Sequence, residues 1–143
     1  MTTREVKQWL LRARQLQARI DQLEEAQRTA FERATSTTQA PRADAGGHSG
    51  VSRKPEMYGE LAGAVDAELK RLDAVKAEIV AVIGKVDDNA LASLLMGYYV
   101  SGKTWEQVCV DIHYSYIHTV HRLHPAALAA VGEILEVRNG GTV

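Results

Sequence analysis

Apolar residues recur every three or four positions through most of this chain, which is the period of helices with one buried stripe. Placing Val6 at a and Trp9 at d of a heptad gives Ala13, Leu16, Ile20 and Leu23, then Gln27 and Ala30, with Ala34 closing the row. Arg, Glu and Gln fill the other positions, so residues 1–34 read as a coiled-coil-like helix. A second seam runs from 56 to 86 through Tyr58, Val65, Leu72, Ile79 and Val86 beside Leu61, Val75 and Val82. Leu69 and Ile83 widen that stripe, and Glu68 interrupts it as a register mark or a local opening. Between the seams, residues 35–55 are rich in Ser, Thr, Gly, Pro and Ala without periodicity and read as a flexible linker. Two heptad helices joined this way fold back as an antiparallel hairpin or pair between chains as a homodimer, and the linker permits either.

The pattern tightens in residues 87–143. Asp87 or Asp88 caps a helix with Leu91, Leu94, Leu95 and Tyr98 facing inward, and Gly102 stops it. Thr104-Trp105-Glu106-Gln107 is a capping box that opens a short helix, Trp105 to Ile112, with Val108, Cys109 and Ile112 inward. His113 stands in the next turn, where glycine is usual and His is tolerated at positive φ. Ser115 caps a third helix whose expected buried stripe is Ile117, Val120, Leu123/His124, Ala127, Val131 and Ile134. Pro125 lacks an amide hydrogen for His121 and is expected to kink or split this helix, and Asn139-Gly140-Gly141 ends it. The expected fold is all-α: an N-terminal helical hairpin or coiled coil, then a tri-helical helix-turn-helix unit over 87–143.

Composition agrees with helices. Phe31 is the only Phe, and there are three Pro. Cys109 is the single cysteine, which excludes an intrachain disulfide and suits a reducing cytoplasm. No apolar run is long enough to span a bilayer, so no membrane partner is expected. Charge changes the picture more. Residues 1–34 hold seven basic against five acidic residues, a net of +2, whereas 87–143 hold Lys103, Arg122 and Arg138 against six acids, a net of −3. A duplex binder gains most of its affinity from phosphates, so the helix-turn-helix sits in the segment least suited to bind DNA alone.

His118, His121 and His124 step by three and cannot share one face, and no second cysteine completes a ligand set; no metal is expected. Protonation of histidines on a groove-facing helix would add positive charge as pH falls. Gly46-Gly47 is not followed by a phosphate-binding lysine, and no nucleophile stands beside a base, so neither enzymatic activity nor a cofactor is expected.

Tyr98-Tyr99, the Gly102-Lys103-Thr104-Trp105-Glu106-Gln107-Val108 run, Ile112, Tyr114-Ser115-Tyr116, Val120-His121-Arg122-Leu123-His124 and Ala127-Leu128 resemble the fourth region of sigma-70-type transcription factors. The chain is similar, more closely, to small phage proteins of unknown function related to ArpU/RinA-type late transcription regulators. The resemblance implies a phage or prophage regulator in the bacterial cytoplasm, contacting double-stranded DNA and host RNA polymerase. Carried over by position, the readers are Tyr116, Ile117, His118, Thr119 and Arg122, behind the Ser115 cap. Two departures stand out: Ser115 to Val120 is one residue longer than the sigma spacing, and Ile117 replaces an acidic reader. Arg122 suits phosphate or guanine, or an ion pair with Glu106 or Asp111. Lys103 and Thr104 suit a phosphate anchor, and Tyr116 a sugar or thymine-methyl contact. Two alternatives stay open. One is an adaptor that docks on RNA polymerase or another factor with little DNA contact. The other is a small terminase-like packaging protein, in which the DNA unit usually comes first.

Overall fold

The structure is a computed structural model that describes the backbone of residues 1–36 and 47–140, and side chains over 1–34 and 59–140. The described residues are helical, without a strand: α1 (Thr3–Ser36), α2 (Gly47–Ile83), α3 (Asn89–Leu95), α4 (Trp105–Ile112), α5 (Tyr116–His118) and α6 (His124–Asn139). Two π-helical segments join these, Met96–Val100 after α3 and Thr119–Leu123 between α5 and α6. Much of the expected linker, 37–46, lies outside the described residues. The backbone is already helical at Gly47, so the second helix starts ahead of Glu56.

The chain divides into two compact units, one of Met1–Gln15 with Asp73–Val143 and one of Leu16–Leu72. The division cuts across both long helices. The expected tri-helical segment therefore shares its unit with the first turns of α1 and the last turns of α2. Thr2 opens α1 as a reciprocal cap, its hydroxyl accepting from Glu5 N at 3.1 Å while Glu5 Oε1 accepts from Thr2 N at 2.7 Å. Val6, Leu10 and Ala13 are buried in this unit with Ile79, Val82, Ile83, Leu94, Leu95, Val108, Ala127, Leu128, Val131 and Leu135. Leu10 lies off the heptad seam yet is wholly buried, because the buried stripe here is wider than a two-helix seam. Gly132 permits a close approach: a Cβ there would lie 3.2 Å from Val6 Cγ2. Trp9 carries Arg12 and Arg138 over its ring, and both guanidiniums bond to Glu78, at 2.8 and 2.6 Å. Those two contacts, Arg138 first, hold the Glu78 carboxyl below the usual range.

In the second unit Ile20, Val65 and Leu72 are buried, and so is Glu68. Arg71 donates to Glu68 Oε1 at 2.8 Å, and Arg19 Nε lies 3.1 Å from Oε2 as an ion pair without an aligned hydrogen bond. A carboxylate in an apolar seam needs such partners to offset its lost hydration, and their placement ties Arg19 of α1 to one turn of α2. Replacing Glu68 with Leu removes that cost while keeping side-chain volume in the seam. Thermal unfolding followed by circular dichroism is expected to show stability unchanged or raised by about 1–2 kcal/mol; a clear loss would mean that the ion pairs hold the seam together.

Candidate nucleic-acid interface

The three C-terminal helices start on the capping residues that local chemistry requires. Asp88 accepts from Ala90 N at 2.9 Å and Leu91 N at 3.1 Å. Thr104 Oγ1 accepts from Gln107 N at 3.2 Å, and Gln107 Oε1 accepts from Thr104 N at 2.9 Å, closing the box. Gly102 takes φ +74° before α4, and His113 takes φ 66° after it, its amide donating to Cys109 O at 2.9 Å. Ser115 Oγ then accepts from His118 N at 3.1 Å and opens α5. Cys109 is a buried free thiol, and Gly97 keeps the first helix close to α4, since a Cβ would meet Val108 Cγ2 at 3.3 Å.

An aromatic cluster fixes α4 on its neighbours. The Tyr98 and Trp105 rings stack at 4.0 Å and 14°, and the Arg14 guanidinium lies 4.2 Å over the Tyr98 ring. Arg14 also donates to Tyr98 O at 2.8 Å and Lys103 O at 3.3 Å. It therefore holds both the π-helical end of the first helix and the residue before the Thr104 cap. The His124 ring lies 4.6 Å from Trp105, and a 2.6 Å hydrogen bond joins its Nε2 to Tyr99 Oη. Burial lowers the His124 pKa to about 4 and raises that of Tyr99, so both groups are neutral at pH 7. Spacing along the chain singles out neither Arg14 nor the Tyr99–His124 pair. Arg14 lies beside the α1 seam, and nothing local marks a partner 84 residues away.

The expected reading residues do not all reach the surface. Tyr116, His118, His121 and Arg122 are exposed, and Arg122 has no acidic partner among the described residues. The His118 ring stacks on Tyr114 at 5.1 Å and 23°. Ser115 and Thr104 are exposed while serving as caps. Lys103 pairs with Asp111 at 2.5 Å instead of standing free. Thr119, expected on the reading face, is wholly buried, and its Oγ1 has no hydrogen-bond partner among the described residues. Ile117, expected in the buried stripe, is 71 % exposed. Both corrections have one cause. Beyond the π-helical turn the expected His124, Ala127 and Val131 face inward, with Leu128 and Leu135, while the extra residue in that turn moves the row before it from Ile117 to Thr119.

The same turn accommodates Pro125. His124 N donates five residues back to Thr119 O, and α6 begins with the proline in its first turn, so the helix continues without a break. Val110, at 71 % exposure, joins Tyr114, Tyr116 and Ile117 as large apolar side chains left open on α4, the turn and α5. Among the described residues no group of three or more His, Cys, Asp or Glu side chains is placed to hold a metal ion, and no helix is long and apolar enough to cross a membrane. No protein-family model, curated protein or solved structure matches the chain.

Burial of His124 and of Thr119 each has a measurable consequence. The folded-state pKa of His124 lies below its ordinary value of 6.5, so the unfolded chain binds more protons between them. Stability is fully present above pH 6.5 and falls as pH drops toward about 4, by up to about 3 kcal/mol from this group alone. Thermal melts across that window should show the wild type losing stability relative to His124→Gln, and parallel curves would refute the assignment. Separately, Thr119→Val removes an orphaned buried hydroxyl at constant shape and is expected to stabilise by about 1 kcal/mol in denaturant titrations.

Proposed function

We propose that the chain is a phage or prophage transcription regulator, acting in the bacterial cytoplasm, that binds duplex DNA with α4 and α5 as a helix-turn-helix. The observation that carries this reading is the set of exposed side chains on the first turns of the third helix. Tyr116, Ile117, His118, His121 and Arg122 project from a helix whose start is held by the Ser115 cap and whose predecessor is held by the Thr104 box. A recognition helix needs this combination: rigid placement at its N-terminal end, and side chains free to meet base edges. The resemblance of residues 98–128 to the fourth region of sigma-70-type factors supports the same assignment. In this reading α1 and α2 pair within one chain as a hairpin or between two chains as the dimer contact.

A second reading is favoured by the open apolar side chains Val110, Tyr114, Tyr116 and Ile117, and by the loss of Lys103 to Asp111. Here the same face docks on RNA polymerase or another protein, and DNA contact is slight.

Gel shifts and footprints against the phage late-promoter region, repeated across a salt series, separate the two. DNA binding predicts a protected site, a log binding constant that falls linearly with log salt, and a roughly tenfold or greater loss in Arg122→Ala. An adaptor predicts no protected site and a salt-insensitive complex with polymerase. The absence of any footprint, with Arg122→Ala and Tyr116→Ala behaving as wild type in every assay, would sink the first reading.

A further inference from the structure

We infer that Ile117, with Tyr116 beside it, is the specificity-determining contact of this unit and that it reads thymine methyl groups in the major groove. The inference rests on the DNA-binding reading and goes beyond it in naming the base-edge group recognised.

Two observations lead there. The first is electrostatic. Residues 87–143 contain three basic side chains, Lys103, Arg122 and Arg138. Lys103 is taken by Asp111 at 2.5 Å and Arg138 by Glu78 at 2.6 Å. Arg122 is then the one cation of residues 87–143 without an acidic partner among the described residues, so this segment by itself offers phosphate little beyond Arg122, and its other exposed side chains are left for base edges.

The second observation is the chemistry offered to those edges. The first exposed turn of α5 presents Tyr116 at 46 % and Ile117 at 71 % exposure, both large and apolar at their contact surfaces. His118, the next residue, has its ring stacked on Tyr114. An isoleucine makes no hydrogen bond, so it cannot discriminate a purine edge or the cytosine amine. The one apolar group on the major-groove edge is the C5 methyl of thymine. Its burial against Ile117 recovers the area that the fold leaves in water. Ile117 is free to do so because Thr119, not Ile117, carries the inward row of this helix.

The test uses the full-length protein and a pool of random-sequence duplexes, enriched by repeated binding. The enriched duplex is then synthesised with deoxyuridine in place of thymidine, which deletes the methyl and leaves every hydrogen-bonding group intact. The expected result is about fourfold weaker binding per contacted position, the equivalent of one buried methylene. In Ile117→Ala the thymine and uracil duplexes should bind alike, while Ile117→Val keeps part of the difference. Ile117 lies outside the core, and a matching thermal midpoint of the variants checks that folding is unchanged. Equal binding of the two duplexes by the wild type would overturn this inference and leave the DNA-binding reading standing. Failure to enrich any duplex would overturn both and point to a protein partner for the same apolar side chains.

Discussion

The C-terminal helices depend on one stacked contact, that of Arg14, Tyr98 and Trp105. Short helices of eight residues such as α4 do not hold themselves in water and need tertiary packing to persist. Here the packing is directional. The guanidinium lies on one face of Tyr98 and the indole on the other, while two backbone carbonyls accept from Arg14. His124 closes the cluster from the third helix and is itself held by Tyr99. A helix start, a π-helical helix end and the middle of a long helix are thereby set against one another by groups that tolerate little displacement.

Several cations are paired inside the molecule. Arg12 and Arg138 share Glu78 over Trp9, Lys103 pairs with Asp111, and Arg19 and Arg71 share Glu68. Half-exposed pairs contribute little to stability, but they fix where cations point and lower the positive potential available to a polyanion. Around the α4–α5 turn the apolar side chains Val110, Tyr114, Tyr116 and Ile117 stay open among exposed polar ones such as Glu106, Gln107 and His113.

Much of the local structure is legible in residue order. The caps at Asp88, Thr104 and Ser115 satisfy amides two or three residues away, so their signals are contained in short words of sequence. The left-handed His113 is legible for the same reason. The Thr2–Glu5 box carries an equally plain signal that periodicity alone overlooks. Less legible is the inward row of the third helix, where a fixed period places Ile117 inside and the sigma-like layout places Thr119 outside. A π-helical turn adds a residue to one hydrogen-bonded ring, and no single-residue preference announces it. Pro125 removes a donor without showing how the helix absorbs the loss.

Sequence by itself determined the helical class, the starts at Asp88, Thr104 and Ser115 and the turns between them, because these depend on backbone groups and side chains within a few residues of each other. Tertiary structure decided which side of the third helix faces outward and which cations stay free. It also decided that the first turns of α1 share a unit with the C-terminal helices. Those outcomes depend on packing between residues far apart in the chain, such as Arg14 on Tyr98 and Arg138 on Glu78, and such contacts leave no mark in the local order of residues.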